Sequence, residues 1–266
     1  MIKENYPLAL TFDIDWAPDF AIQLCIQLLE KYNIPATFFI THPSPIIDVL
    51  CNHPLFEVGI HPNFFPNSSQ GNSEKEIMDY LFSIAPSAFS MRTHGLFQSS
   101  CLFSFIAENY KQILYDFSLY LPNNPFICPF DFPLSSKHKI IRCPYQFEDD
   151  MCFSYSGPAS FDFSINHTIF PSANYLILDF HPIHLFLNSI GNCNYTNLKK
   201  ILGKRSLNSC DYTEAKQFVN TGEGAMTWLM NLFETVDHGR FKLGSAIPRL
   251  FTNHQEEIHK KSVICE

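Results

Sequence analysis

Carboxylates and histidines stand at the ends of apolar runs along this chain, first in Leu8-Ala9-Leu10-Thr11-Phe12-Asp13-Ile14-Asp15-Trp16. Strand side chains alternate with a period of two, so Asp13 and Asp15 are expected on one side of the strand. Two carboxylates that close repel unless a cation lies between them or one keeps its proton. The pattern reads as part of a metal site, the plainer alternative being two solvated residues where a strand gives way to a helix. Four further runs end in residues of similar character: His61, the pair Arg92 and His94, the stretch Glu148-Asp149-Asp150, and His181. Asp15 with His61 offers one oxygen and one nitrogen, a mix suited to zinc or a similar divalent ion.

Hydrolysis at such a site needs three protein ligands, a base and an acid. Asp13 fits the base by position. Arg92, at a neighbouring strand end, would hold that carboxylate ionised and oriented. His181 would protonate a leaving nitrogen, oriented by Asp179 two residues earlier or by one of Glu148, Asp149 and Asp150. His42, His53, His138, His167, His238, His254 and His259 receive no role.

The elements that must position these groups alternate in type. A helical pattern opens at Pro18-Asp19, with Phe20, Leu24, Cys25, Leu28, Leu29 and Tyr32 on one face, and Asn33-Ile34-Pro35 stops it. Buried strands are expected over 36–41 and 56–60, with a short helix over 45–50 between them. A polar loop covers 64–72, and Ser73-x-x-Glu76 reads as a capping box that starts a helix reaching Ile84. Strand 87–91, helix 101–110 and strand 112–116 follow, and 117–136 reads as an irregular insertion. Strands return over 139–143 and 175–180. A loop rich in Asn and Lys comes after His184, then helices over 212–219 and 225–236 and a strand near 240–243.

No linker or repeat divides the chain, so one domain is expected over 1–251 with a polar tail over 252–266. Alternating strands and helices argue for a barrel-like or doubly wound α/β fold, whose active site collects at the C-terminal strand ends. The 266 residues carry a net charge of −8 without a long acidic run, which sets nucleic-acid binding aside. No window of 18 apolar residues exists, and residues 1–5 lead directly into the first strand, so the expectation is a cytoplasmic protein without a transmembrane segment. Nine scattered cysteines without a CxxC pair fit reduced thiols, and sequons at Asn67, Asn166 and Asn194 carry no weight without a secretion route. The 27 phenylalanines are expected mostly in the core, with some available to stack on a sugar ring.

The chain resembles the metal-dependent polysaccharide deacetylases, the NodB-type carbohydrate esterases. The resemblance lies in Thr11-Phe12-Asp13-Ile14-Asp15, Ile34-Pro35-Ala36-Thr37-Phe38-Phe39, Glu57-Val58-Gly59-Ile60-His61, Arg92 and His181. It looks most similar to the WbmS-like branch, found with surface-polysaccharide biosynthesis, through His61-Pro62-Asn63-Phe64, Arg92-Thr93-His94, Pro144-Tyr145-Gln146-Phe147-Glu148-Asp149-Asp150 and Phe180-His181-Pro182-Ile183-His184. These motifs span residues 8–188. The resemblance implies a distorted (β/α) barrel of about seven strands and metal-dependent removal of an acetyl group, most simply an N-acetyl group on a nucleotide- or lipid-linked sugar intermediate. It places the base on Asp13, the metal aspartate on Asp15 and the first metal histidine on His61, with a divalent ion, zinc, as cofactor. Asn63, Glu148, Asp149, Asp150, Asp179 and His184 are expected to touch substrate or to support the ligands. Ordinary members carry a second metal histidine where this chain has Phe65. His94 is the expected replacement, with Gln70, His181 and His184 as alternatives. The proline-tyrosine that usually follows the motif arginine is also missing. Two other readings stand beside this one: a DxD glycosyltransferase built on Asp13-Ile14-Asp15, and a carbohydrate-binding relative without catalysis.

Overall fold

The computed structural model describes residues 6–122, 124, 127–133, 138–156 and 174–251, so the expected tail over 252–266 lies outside the described residues. Strands and helices alternate in the order β1 (Leu8–Asp13), α1 (Asp19–Tyr32), β2 (Ala36–Ile40), α2 (Pro45–Asn52), β3 (Phe56–Ile60), α3 (Glu74–Ile84), β4 (Ser90–Met91), α4 (Ser100–Asn109) and β5 (Tyr115–Asp116). Next come β6 (Phe130–Pro133), β7 (Lys139–Arg142), β8 (Phe147–Glu148), α5 (Asp149–Ser156), β9 (Leu176–Phe180), α6 (Pro182–Phe186), α7 (Cys193–Leu202), α8 (Tyr212–Lys216), α9 (Ala225–Thr235) and β10 (Phe241–Lys242). No helix among the described residues is long and apolar enough to cross a membrane, and the described cysteines are all free thiols.

The sheet runs β6-β7-β5-β4-β3-β2-β1-β9-β8, with β10 also against β1. Every pairing is parallel except β6 with β7. One continuous segment joins the two ends of this order. Beyond β7 the Tyr145 N–H donates to Leu119 O at 2.9 Å, and the next residue, Gln146, donates to Ile177 O at 3.4 Å. The chain thus leaves the β5 edge and joins the β9 edge, where Phe147 pairs with Leu178 and Glu148 with Asp179. The result is a distorted barrel with seven positions: β1 to β5, the joined β7–β8 segment, and β9.

Alternation along the strands sorts two cores. Leu8, Leu10 and Phe12 face outward to the helices, where Ile22, Ile26 and Leu29 of α1 meet them in the large cluster. Ala9 faces inward, with Phe39, Phe117, Tyr145, Tyr175, Ile177 and Ile247. Above that apolar floor the interior turns polar, with Thr11, Asp13, His61, Arg92 and Asp179 all buried. Helix α1 ends because Asn33 takes a left-handed φ of 54°, its N–H and that of Ile34 closing onto the last carbonyls.

Several sequence expectations need correction. The stretch 117–136 holds β6, and Glu148 ends a strand, with Asp149 and Asp150 opening α5. The Asn- and Lys-rich stretch is helix α7, whose weak signal follows from its having only Leu198 and Leu202 fully buried. Strands expected over 87–91 and 112–116 shorten to β4 and β5. The capping box is half formed: Ser73 Oγ accepts from Glu76 N at 3.3 Å, but the Glu76 carboxylate accepts from Asn72 N.

Candidate active site

Strand β1 stops at Asp13, so alternation does not bring the two aspartates together. Asp15 and Trp16 adopt left-handed φ values of 38° and 54°, a costly backbone for a tryptophan that the surroundings must enforce. They do so through Trp16 N–H to Thr41 Oγ1 at 3.0 Å and Ala17 N–H to Ile14 O at 2.6 Å. This turn swings the Asp15 carboxylate over the barrel mouth while Asp13 stays buried inside.

There Asp15 meets two histidines. Its Oδ1 lies 3.1 Å from His61 Nε2 and 3.1 Å from His94 Nδ1, and the two nitrogens lie 3.3 Å apart. Three atoms each about 2.0–2.1 Å from a tetrahedral zinc ion stand about 3.3–3.4 Å from one another. The donor set therefore has the size and chemistry of one face of such a site. Burial alone would raise the Asp15 pKa, but the two histidines hold it well below the usual carboxylate range.

Gln70 turns its amide onto backbone groups. It is buried, its Nε2 donates to Thr41 O at 2.9 Å and to His61 O at 3.1 Å, and its Oε1 accepts from Asn63 N at 2.7 Å. It latches the loop after β3 onto the strand ends and fixes the backbone of His61. Gln70→Ala strands these partners in a dry place, so a loss of about 1–3 kcal/mol is expected. A urea midpoint unchanged from wild type would contradict the latch.

Inside the mouth, Arg92 is fully buried between the rings of Phe39 and Tyr145, at 4.8 and 4.3 Å from their centroids. Its Nη1 donates to Asp13 Oδ1 and to Thr11 Oγ1, each at 3.0 Å, and to Asp179 Oδ1, while Nε donates to Phe117 O. Thr11 also donates to Asp179 at 2.6 Å. Burial pushes Asp13 up to about 6 against the pull of Arg92. Burial likewise raises Asp179 well above its usual range. Asp13 Oδ2 points the other way, 3.6 Å from His61 Nδ1.

His181 completes the ring of groups. Its Nδ1 lies 2.6 Å from Asp149 Oδ1, its backbone N–H donates to Asp149 Oδ2 at 3.0 Å, and its Nε2 lies 3.6 Å from Asp15 Oδ2. Burial disfavours charge on this ring, but Asp149 and Asp150 outweigh it and hold the pKa well above the ordinary value. Asp149, rather than Asp179, is the residue that orients His181. Glu148 accepts from the Tyr145 hydroxyl, behind Arg92, and burial with the neighbouring carboxylates keeps it well above its usual range. Asp150 carboxylate groups with Glu148 and His181 within ligand reach of one another. His184 packs its ring 5.9 Å from that of His181 and pairs its Nδ1 with Ser189 Oγ at 3.1 Å, so it supports His181 from behind. Asn63 turns its side chain onto its own loop, Oδ1 accepting from Phe65 N at 3.0 Å.

One network escaped the sequence reading. Asp116 Oδ1 accepts from Ser118 Oγ at 2.6 Å, and that oxygen accepts from Thr93 N at 2.9 Å. Asp116 Oδ2 accepts from Arg142 Nε at 2.7 Å; Arg142 also donates to Gln98 Oε1, and Gln98 donates to Ser118 O and Leu96 O. The turn that carries His94 is thereby clamped on both flanks from a single buried carboxylate. Asp116 ends a run predicted as a strand, as Asp13 does, and that shared position was the available signal.

The strand ends thus gather aspartates, histidines and one buried arginine around a small mouth. The model of the family described as "WbmS-like: Polysaccharide deacetylase" matches residues 10–199, and the chain belongs to that family of carbohydrate deacetylases. Among solved structures it is similar to a polysaccharide deacetylase involved in O-antigen biosynthesis from Bordetella bronchiseptica, at 31% identity and TM-score 0.72, covering 86% of this chain and 90% of that one. A peptidoglycan N-acetylglucosamine deacetylase matches at 16% identity and TM-score 0.39 over 65% of this chain and 71% of the other. A family 4 acetyl xylan esterase from Clostridium thermocellum, in complex with a cobalt ion, matches at 25% identity and TM-score 0.32 over 46% and 62%. No curated protein sequence matches. Membership of this family sets the glycosyltransferase reading aside.

Proposed function

We propose that the chain removes the acetyl group from an N-acetylated sugar intermediate of surface-polysaccharide assembly, with a divalent ion, zinc, held by Asp15, His61 and His94. The observation that most supports the metal is the 3.1, 3.1 and 3.3 Å spacing of three lone-pair donors. Two imidazole nitrogens 3.3 Å apart on one carboxylate oxygen are spaced as the ligands of a single ion are. The same spacing argues against a relative that has kept the fold and lost the metal. The likeness to a structure described for O-antigen biosynthesis supports the substrate class.

A divalent ion bound there would polarise the acetyl carbonyl and ease deprotonation of water. The remaining work falls to the chain's own side chains. Asp13 takes the proton from water at Oδ2, because Arg92 occupies Oδ1. Arg92 fixes the direction of that carboxylate and shares its charge with Asp179. His181, held by Asp149 through Nδ1, presents Nε2 and gives a proton to the departing amine. Glu148 and Tyr145 back the guanidinium, and Asp150 adds to the field that keeps His181 charged.

Acetate release from an N-acetylhexosamine glycoside tests the activity. Purified protein is expected to release acetate, to lose that activity with a chelator such as dipicolinate, and to regain it on adding zinc. Full activity in protein shown by elemental analysis to be free of metal would overturn the metal part of the reading. Hydrolysis of acetyl esters without any action on acetylated sugars would overturn the carbohydrate part.

A further inference from the structure

Two phenylalanine rings stand open to solvent beside the His94 turn: Phe65 at 42% exposure and Phe97 at 38%. Exposed rings normally fold down onto neighbouring apolar surface. The chain around them sets where they lie. The Asn63 side chain accepts from Phe65 N at 3.0 Å and sets the loop. The Phe65 ring then lies over Gly95, so close that a Cβ at that position would stand 2.7 Å from Phe65 Cε2. Gly95 also has φ +57°, so its lack of a side chain serves the turn and the ring together. Phe97 meets Phe65 edge to face at 5.4 Å, and Phe65 meets the His94 ring at 6.3 Å and 89°.

We infer that Phe65 and Phe97 form a stacking platform for the sugar ring of the substrate, next to the three-donor site. This inference rests on the deacetylase reading and deepens it. A pyranose is amphipathic: its hydroxyls lie around the rim, and its axial C–H groups give it an apolar face that packs on an aromatic ring. The strand-end groups are nearly all charged and suit the acetyl group and the departing nitrogen, while Trp16 meets the His94 ring at 5.3 Å from the other flank and leaves the more exposed Phe65 and Phe97 for that apolar face. The platform is continuous with the site through the Phe65–His94 contact, so one hexose reaches from the rings to the mouth. Phe65 occupies the position where a second metal histidine was expected. Here the loop side chain takes the substrate, and the metal position passes to His94 across the contact.

Kinetics on methyl N-acetyl-β-glucosaminide, compared with the ring-free ester glyceryl triacetate, test this. Phe97→Ala and Phe65→Ala are expected to raise KM for the sugar about tenfold, the size of a lost ring contact, with kcat within about twofold. Phe65→Trp should restore the wild-type KM, and triacetin kinetics and zinc content should stay unchanged in all three variants. Sugar KM unaffected by both alanine variants would overturn the platform while leaving the deacetylase reading intact. Equal losses on triacetin, or zinc lost from Phe65→Ala, would mean that the rings only buttress His94. A KM rise confined to a nucleotide-linked N-acetylhexosamine would assign the rings to a base and refute the sugar assignment. Wild-type cleavage of triacetin with no turnover of any acetylated hexosamine would sink the carbohydrate reading and this inference with it.

Discussion

Asp13→Asn is expected to lower turnover by about 100-fold or more while the protein still takes up one zinc ion per chain. The substitution keeps the shape of the side chain and leaves its Oδ1 available to Arg92, which donates to it at 3.0 Å. Asp179 remains as the second carboxyl partner of Arg92, so the buried guanidinium keeps an acceptor. What disappears is the basic oxygen on the side facing His61. An amide nitrogen there cannot accept a proton. The contrast is with Asp15→Ala and His61→Ala, which each remove one of three donors and should empty the site of metal. Elemental analysis of the three purified variants, alongside acetate release, decides the matter. Metal lost from Asp13→Asn but kept in Asp15→Ala would reverse the two roles.

The strands that build the barrel were legible where they are long and buried on both faces. β1, β2, β3 and β9 read as mainly apolar runs, and a polar residue stands at or just past each C-terminal end: Asp13, Thr41, His61 and His181. The short strands were less so. β8 is two residues long, and its hydrogen bonds are set by the hand-over at Tyr145 and Gln146, which no local pattern records. Convergence of Asp13 and Asp15 was expected for the wrong reason. Alternation ends at Asp13, and a left-handed turn does the rest, made tolerable by the Thr41 hydroxyl 25 residues away. The partner of His181 was ambiguous in sequence because Asp149 and Asp179 are both near it in the barrel. β9 sends Asp179 inward to Arg92, whereas α5 starts with Asp149 directly behind the imidazole. The Asp116 clamp on the His94 turn depends on three segments meeting, and spacing along the chain cannot show that.

His94→Gln is expected to weaken zinc binding by at least about 100-fold, the upper end of what the loss of a supporting outer contact alone does. The argument starts from Phe65, which cannot ligate, so the loop after His61 supplies one nitrogen where two would be usual for the family it resembles. His94 brings its Nδ1 to 3.1 Å from Asp15 and 3.3 Å from His61 Nε2, and the other candidates do not compete. Gln70 spends both ends of its amide on backbone groups. His184 is turned to Ser189, and His181, whose Nδ1 pairs with Asp149, keeps its Nε2 3.6 Å from the far oxygen of Asp15, farther than the 3.1 Å of His61 and His94 from the near one. A ligand on a surface turn would bind poorly if the turn were loose, since ordering it would consume binding energy. The Ser118–Thr93 and Gln98–Leu96 bonds remove that cost by fixing both flanks before metal arrives. Gln70→Ala and His184→Ala should therefore change zinc affinity far less, by about tenfold at most. Competition against a fluorescent chelator gives the four dissociation constants on one scale. Wild-type affinity in His94→Gln, with only the rate reduced, would move His94 out of the ligand set.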